Sequence, residues 1–421
     1  MTTTGVPDVF DPRGYQHGIP HDSFAYLRAR HPVCWQQEHP IGDWPAGPGF
    51  WAITRHADVL RVLKSPKEYS SALGATQIRD PDPADLPFIG RMMLNMDPPE
   101  HGRLRRIVSR AFTPRRIERF AEHVAARARG LIDAVIERGE CDFAAEVTDE
   151  FPLGNLADLL GVPEADRGLL LKWTNRIIGY QDPEHAEVVR DEHGTPINPR
   201  SPAALADMFG YATELAVYKR AHPADDVMTA LATAELTGGE LEMFFFLLSV
   251  AGNDTVRSAG PGGMLAFASH PEQRSLLLAR PELLDSAIEE ALRWHPPVLS
   301  FRRTAVVDTE LAGQPVAAGE KVVVFHASAN FDPMVFPDPL RFDITREPNA
   351  HVAFGDGPHV CLGAHFARLQ LRALFGEALW RMDGVAVAGP VDHLVSNFIN
   401  GIKHLPIRFT PGAAAAGSAT A

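Results

Sequence analysis

Cys361 lies in a segment whose composition could make its sulfur chemically active. The segment reads Phe-Gly-Asp-Gly-Pro-His-Val-Cys-Leu-Gly over residues 354–363, and an apolar pattern with helical spacing follows at once. Its glycines allow a tight turn where a Cβ would clash. A sulfur just before a helix faces unsatisfied backbone N–H groups and the positive end of the helix dipole, which favours thiolate over thiol. Such a thiolate could be a metal ligand or a nucleophile.

A second candidate for chemistry is Asp254 with Thr255, an acid next to a hydroxyl inside a long apolar stretch. A threonine in a buried helix is often inert, because its hydroxyl bonds to the carbonyl four residues earlier. A buried carboxylate, however, is costly unless it is paired or functional. The two side chains together could deliver protons, and Gly252 would let a bulky group approach the helix backbone.

Glu290 and Arg293 are three residues apart and so share one face of a helix. On a surface, such a pair contributes under about 1 kcal/mol. Apolar residues flank both positions, which favours a buried, structural ion pair. Arg341, in the Pro-Leu-Arg-Phe sequence at 339–342, is a possible third member.

Composition excludes several classes of protein. With 45% hydrophobic and 22% charged residues, the 421-residue chain is typical of a globular protein, and no apolar run reaches the length of a membrane span. The net charge of −13 argues against nucleic acid as a partner. Three widely spaced cysteines, with no secretory signal at the start, indicate a reducing compartment, and we expect the cytoplasm.

Apolar periodicity predicts a mainly helical chain with a few short strands. We expect one domain over residues 1–410 and a disordered, alanine-rich tail over 411–421. A polar stretch at 181–202 should be a functional or mobile loop. The predicted elements are a strand and helix at 50–62, helical segments at 100–138, 151–179, 203–221, 240–268 and 282–295, and a strand at 320–326.

The helix predicted at 240–268 contains an unfavourable sequence, Ser-Ala-Gly-Pro-Gly-Gly at 258–263. Pro261 lacks a backbone N–H and would clash with the carbonyl of Arg257. The neighbouring glycines add a further cost. We therefore predict a kink, or an early end of the regular helix, at this point.

Taken together, the four motifs at 251–255, 290–293, 339–342 and 354–363 resemble the cytochrome P450 family of haem-thiolate monooxygenases in order and spacing. The resemblance covers nearly the whole chain, from Phe50 to Phe409. It implies a mainly α fold with small β-sheets, in a single triangular domain. Haem b would lie between the long central helix and the helix that follows the cysteine loop.

The resemblance also implies roles for individual residues. Cys361 would be the thiolate ligand of the haem iron, which favours O–O cleavage. Asp254 and Thr255 would relay protons during the activation of O2. A structural triad would be formed by Glu290, Arg293 and Arg341. The haem propionates would be held by His101, Arg105, Arg303 and His359.

Shorter motifs are similar to those of actinobacterial members that oxidise sterol side chains and branched lipids. This implies a bulky apolar substrate such as a steroid, terpenoid or branched lipid. For any single residue of the candidate pocket, plain core packing is the alternative. The candidate residues are Phe88, Met92, Leu94, Phe246, Val250, Ala251, Val298, Leu299, Phe398 and Ile399.

Because the sequence shows no fused reductase domain, electrons should come from a separate ferredoxin and its reductase. A basic docking face on this acidic chain could attract such a partner, and a merely solvated basic patch is the alternative. The arginines of this predicted basic face are Arg103, Arg106, Arg110, Arg115, Arg116 and Arg368.

Other functions remain as alternatives. A haem-thiolate peroxygenase or an oxidative coupling enzyme would often lack the acid–alcohol pair, which is intact here. A haem-binding sensor without turnover would have no use for a proton relay. A cysteine-nucleophile enzyme would need His359 as its base, and it would leave the other three motifs unexplained.

Overall fold

The computed structural model describes residues 5–41, 45–178, 189–190, 194, 196–197 and 201–414. The predicted mainly helical fold with small sheets is confirmed. The α-helices are α1 (His21–Arg30), α2 (His56–Lys64), α3 (Leu86–Ile89), α4 (Glu100–Ser109), α5 (Pro114–Glu118), α6 (Ala121–Ile136), α7 (Glu150–Leu160), α8 (Arg167–Ile178), α9 (Ala206–Ala221), α10 (Val227–Ala232), α11 (Gly238–Ser269), α12 (Pro271–Ala279), α13 (Leu284–Trp294), α14 (His326–Ala329) and α15 (Ala364–Arg381).

The strands are short and form several small sheets. The largest has the order β1-β2-β10-β7-β3, in which β2 and β10 run parallel and the other neighbours antiparallel. The strands are β1 (Val33–Gln36), β2 (Phe50–Ile53), β3 (Tyr69–Ser70), β4 (Glu140–Asp142), β5 (Val189–Arg190), β6 (Pro196–Ile197), β7 (Ser300–Ala305), β8 (Thr309–Leu311), β9 (Gln314–Val316), β10 (Lys321–Phe325), β11 (Ala386–Val387), β12 (Asp392–His393), β13 (Ile402–His404) and β14 (Pro406–Arg408).

Helix α11 is the central element of the helical core. A capping box starts it: the Thr237 hydroxyl accepts from the Glu240 N–H, and the Glu240 carboxylate accepts from the Thr237 N–H. Along its length it contacts α7, α8, α9, α13 and α15. Most of its side chains are therefore buried, which explains why its sequence is apolar on nearly every face.

The predicted early end of this helix is wrong, because α11 continues through Pro261 to Ser269. Tertiary packing accounts for the difference. A Cβ at Gly262 would overlap the ring of His295, and one at Gly263 would overlap the ring of Phe375. These rings pack directly on the helix backbone, and that burial offsets the hydrogen bond lost at Pro261. A kink at this point stays a prediction.

Part of the predicted tail is described. The N–H of Gly412 donates to the carbonyl of Ile136 at 3.1 Å, so the chain is held against α6 at this point. Residues 415–421 lie outside the described part, as does most of the polar stretch at 181–202. The domain boundary at 410 and the disorder beyond it stay predictions. In the described ranges, no helix combines the length and apolar character that crossing a membrane requires.

Candidate functional site

The loop that carries Cys361 has the tight geometry its glycines suggest. Gly355 and Gly357 have φ angles of 67° and 69°, in the left-handed region that side chains disfavour. A Cβ at Gly357 would also overlap the carbonyl of Leu63, at the end of α2. The N–H of Cys361 donates to the carbonyl of Phe354 at 2.9 Å, which closes the loop just before α15 begins.

The sulfur of Cys361 is accessible, although much protein surrounds it. Burial by that protein raises the pKa of the thiol, whereas the Gly363 N–H, Arg105 and Arg368 act to lower it. The Gly363 N–H therefore acts on the thiol in the expected direction, but burial opposes it. A bound metal ion would deprotonate the thiol outright, which favours a ligand over a nucleophile. His359 offers little support as a base, since its Nε2 lies 3.2 Å from the Ser71 hydroxyl.

The residues predicted to hold the haem propionates lie together. The rings of His101 and His359 have centroids 4.0 Å apart. The positive charges of Arg105 and Arg303 lower the pKa of both histidines, although burial is the largest cause; that of His359 falls to about 3. Arg303 is itself buried, which lowers its pKa to about 10. Arg105 donates to the carbonyl of Val360, one residue before Cys361.

This cluster fits the acidic groups of a haem. His101 Nε2 is buried without a hydrogen-bond partner. Within the described ranges, no carboxylate lies within ion-pairing distance of Arg105 or Arg303. Arg303 is buried and Arg105 is half-buried, and two propionates would supply negative charge that stabilises both cations. The accessible sulfur of Cys361 lies one residue from Val360, which Arg105 contacts, and would be available as a ligand for the iron.

Asp254 and Thr255 point in different directions from α11. The Thr255 hydroxyl donates to the carbonyl of Ala251 at 2.8 Å, which is the bond four residues back that an inert threonine makes. Thr255 is partly exposed and Ala251 is exposed, although α11 is packed on its other faces. Asp254 is buried, with its Oδ2 lacking a hydrogen-bond partner. The two side chains are neighbours in sequence, about 100° apart around the helix.

An ion pair that the sequence did not reveal controls the charge near Asp254. Arg257 binds Asp149 through two hydrogen bonds of 2.6 and 2.9 Å, and its Nη1 lies 4.0 Å from Asp254 Oδ1. Burial raises the pKa of Asp254 to about 7, opposed by Arg257 and assisted by the negative charge of Asp149. A carboxyl group that titrates near neutral pH is suited to proton transfer.

The predicted triad needs one correction. Arg293 donates to both oxygens of Glu290, at 2.7 and 2.8 Å, and both side chains are fully buried. The third residue is not Arg341, whose side chain is 65% exposed and lies 3.9 Å from Asp343. Arg346 takes that place: its Nε lies 3.3 Å from Glu290 Oε2, and its side chain is only 8% exposed. Arg341 contributes its backbone carbonyl, which accepts from Arg293 at 3.2 Å.

The predicted pocket residues fall into different environments. The Phe88 ring lies 5.4 Å from that of Phe209, which in turn lies 6.3 Å from that of Phe246. Phe209, on α9, was missed because nothing in its local sequence distinguishes it from a core residue. Leu299 is wrong as a pocket residue, since it is fully buried in a hydrophobic cluster beneath the largest sheet.

The remaining candidate pocket residues differ in burial. Val298 pairs with Ile399 in an isolated bridge, and the Leu299 N–H donates to the Phe398 carbonyl at 2.8 Å. Met92, Leu94 and Val250 are partly exposed, and Phe246 and Ile399 are buried. The partly exposed group fits an apolar pocket better than the buried one.

Acidic partners neutralise half of the predicted basic face. Arg103 pairs with Glu240 and Glu100, Arg116 lies 3.6 Å from Asp225, and Arg368 makes two 2.6 Å bonds to Glu289. The arginines that remain exposed, with no ion pair found for them in the described ranges, are Arg106, Arg110 and Arg115.

Replacing Arg346 tests the corrected triad. Arg346→Ala removes a nearly buried cation from Glu290 and should lower the free energy of unfolding by about 3 kcal/mol or more. Arg341→Ala is the matched control and should change it by under about 0.5 kcal/mol, since its side chain is mostly exposed. Urea unfolding of both variants measures the difference. Equal losses in the two variants would contradict the corrected assignment.

Replacing Asp254 tests the origin of its raised pKa. Its folded pKa of about 7 exceeds the usual 3.8, so its contribution to stability is fully present below pH 4 and is lost as pH rises through 7. The wild-type protein should lose on the order of 4 kcal/mol over this window relative to Asp254→Asn. Unfolding free energies measured from pH 4 to 8 give the difference. Parallel pH profiles for the two proteins would refute the raised pKa.

Comparisons with known proteins agree with this geometry. The Cytochrome P450 family model matches residues 274–383, which include Glu290, Arg293 and Cys361. The chain is 39% identical over 415 residues to the steroid C26-monooxygenase of Mycobacterium bovis, covering 96% of this chain and 92% of the relative. It is 35% identical over 417 residues to the linalool 8-monooxygenase of Pseudomonas putida, covering 96% and 99%.

A solved structure gives the same result for the fold. The Mycobacterium marinum cytochrome P450 in complex with pseudoionone matches with a TM-score of 0.82 and 39% identity, over 92% of this chain and 94% of that one. The similarity therefore extends across almost the full length of both chains in sequence and in structure. The chain belongs to the cytochrome P450 family of haem-binding monooxygenases.

Proposed function

We propose that this cytochrome P450 monooxygenase hydroxylates a terpenoid, a steroid or a branched lipid. The observation that carries the proposal is the similarity to two enzymes named for a steroid and for linalool, at 39% and 35% identity over 96% of the chain. Both ligands are apolar. The ring contacts of Phe88, Phe209 and Phe246 and the exposed Ala251 provide apolar surface for such a molecule.

The residues around the haem have separate tasks in this proposal. Haem supplies the activation of O2 and the insertion of one oxygen atom into a C–H bond. Cys361 would hold the iron through its sulfur. His101, Arg105, Arg303 and His359 would hold the propionates and so fix the orientation of the ring.

Asp254 and Thr255 would act as a proton relay. Thr255 presents a hydroxyl on the accessible face of α11, and its hydrogen can leave the Ala251 carbonyl to serve a new acceptor. Asp254, with a pKa near 7, can give up and regain a proton at neutral pH. Since the side chains point apart, a water molecule or a rotation of Asp254 must connect them.

Electrons would come from a separate ferredoxin. Arg106 lies in α4, Arg110 follows its last residue, and Arg115 lies in α5; all three are exposed. Arg105 of α4 contacts the cysteine loop through the Val360 carbonyl. An acidic partner would be attracted to the three exposed arginines. Since Arg103, Arg116 and Arg368 are already paired, this attraction should be weaker than the full set of arginines would give.

A panel of ligands tests the substrate class. Cholesterol, testosterone, linalool and pseudoionone are titrated into the haem-loaded protein, and the spin state of the haem is followed by absorption. We expect a spin-state shift with at least one of them, and a product carrying one added oxygen when reductant is supplied. Cholesterol and testosterone differ in the sterol side chain, so binding of cholesterol alone would identify side-chain recognition. No shift with any of the four would overturn the proposed class.

Replacing Thr255 tests the relay. Thr255→Ala should bind the best ligand of the panel as before but convert less of the consumed O2 into product, by about ten-fold or more, with peroxide formed instead. Thr233→Ala is the control, because Thr233 makes the same bond to a carbonyl four residues back but is exposed, directly after the end of α10. Unchanged coupling of O2 to product in Thr255→Ala would remove this residue from the relay.

A further inference from the structure

Four charged side chains meet at one face of the largest sheet. Lys321 of β10 lies 2.6 Å from Glu38 and 2.6 Å from Asp80, and Arg302 of β7 lies 2.6 Å from the other oxygen of Asp80. The side chains of Lys321, Arg302 and Glu38 are at most 5% exposed, whereas that of Asp80 is 47% exposed. The two cations and two anions balance each other, and we refer to them as the charge cluster.

Asp80 belongs to an irregular segment, residues 71–80, that lies along the edge of β7. The N–H of Arg302 donates to the carbonyl of Thr76 at 2.8 Å, and the hydroxyl of Thr304 donates to that of Leu73. Lys321 Nζ also donates to the carbonyl of Ile78 at 3.2 Å. These bonds fix the segment's backbone, and Asp80 adds its ionic connection to the sheet.

Close packing at Gly74 shows how tightly the segment follows the strand. Gly74 has a φ of 120°, and a Cβ there would lie 2.8 Å from Cζ of Arg302. The positive φ requires glycine at this position, and the short distance shows that the Arg302 guanidinium packs on its backbone. The guanidinium of Arg302 is therefore enclosed between the backbone at Gly74 and the carboxylate of Asp80.

The chain that follows Asp80 leads directly to the candidate pocket. Helix α3 begins six residues later and carries Phe88, whose ring meets Phe209 on α9. Beyond it, Asn95 donates to the carbonyl of Ile89, and Asp97 accepts from the N–H of Ser71 at 2.8 Å. The loop from 71 to 97 is thus closed at its base by Asp97, and Asp80 holds its middle against the sheet.

Removing Asp80 would affect this loop more than the sheet. Lys321 would keep Glu38, which is almost fully buried, and Arg302 would keep the Ile78 carbonyl at 3.4 Å. The sheet pairing of β7 with β10 runs from Lys321 to Phe325 and does not involve Asp80. The hydrophobic contacts beneath the sheet would also remain.

We propose that Asp80 is a positioning residue whose bridge to Lys321 and Arg302 holds residues 81–94 over the substrate pocket and so sets the affinity for bulky ligands. The inference rests on the proposed pocket, in which Phe88, Met92 and Leu94 take part. Within the described ranges, the ion pairs of Asp80 are with Lys321 and Arg302 rather than with residues of that pocket. Asp80 acts by restricting the positions that this loop can take, which reduces the ordering that a ligand must impose.

The test compares Asp80→Asn with the wild-type haem-loaded protein by two measurements. Hydrogen exchange followed by mass spectrometry should show faster exchange in residues 81–94 of the variant and unchanged exchange in β7 and β10. Affinity is measured with clotrimazole, a bulky azole, and with imidazole, a small one, both of which bind haem iron whatever the natural substrate is. We expect roughly ten-fold weaker binding of clotrimazole and unchanged binding of imidazole.

Two further variants serve as controls. Asp225→Asn removes another half-exposed aspartate with two arginine partners, Arg116 and Arg119, and should change neither measurement. Asp80→Glu keeps the charge and should restore most of the clotrimazole affinity. If Asp80 had a purely structural role, the variant would bind both azoles more weakly and would also have a lower thermal unfolding midpoint.

The outcomes separate this inference from the proposed substrate class. Unchanged exchange in 81–94, or faster exchange with unchanged clotrimazole affinity, would overturn the role of Asp80. Equal weakening of both azoles would overturn it as well. A failure of cholesterol, testosterone, linalool and pseudoionone to bind would instead count against the substrate class, because the azole measurements do not depend on it.

Discussion

The carboxylate of Glu290 is the constraint on which the position of the cysteine depends. It accepts two hydrogen bonds from Arg293, one from the N–H of Asp343 at 2.9 Å and one from Asn349 at 3.1 Å. Arg346 completes its surroundings. A carboxylate fully out of water is unfavourable unless several donors compensate, and here the donors come from both α13 and the irregular chain after it. This chain must therefore fold back on α13.

The neighbouring Glu289 extends that connection to the helix after the cysteine. It binds Arg368 of α15 and lies 3.1 Å from Nε2 of His351. Burial alone would raise its pKa, but the bonds from Arg368 and His351 hold the pKa down to about 2. Cys361 lies between His351 and Arg368 in sequence. Two consecutive glutamates of α13 thus fix the chain on both sides of the sulfur, one through the segment before the loop and one through the helix after it.

Contiguous motifs could be predicted from the sequence, because local spacing determines where their side chains lie. The loop around Cys361, the adjacent Asp254 and Thr255, and the pair Glu290 and Arg293 on one helical face are of this kind. Arg346 could not be chosen over Arg341 in the same way, since the choice depends on how an irregular segment turns. Arg341 lies inside the motif at 339–342 and Arg346 lies four residues after it, yet the path of the backbone leaves Arg341 exposed and buries Arg346.

Other differences arose where a tertiary partner overrides a local preference. The helix continues through Pro261 because His295 and Phe375 pack on glycine backbone, and neither ring is near in sequence. The charge on Asp254 depends on Asp149, which lies far from it in sequence and competes with it for Arg257. Helix propensities describe an isolated segment. The conformation at Pro261 and the charge on Asp254 depend instead on residues from elsewhere in the chain.

Strand β7 brings two tasks together on one rigid element. Arg302 and Arg303 are consecutive, so their side chains project to opposite faces of the strand. Arg302 binds Asp80, and Arg303 lies with His101 and His359 at the expected propionate positions. Both residues are paired with β10, at Val323 and Val322. A displacement of this strand would therefore move the cations predicted to face the haem together with the loop next to the proposed pocket, because alternate side chains of one strand reach both.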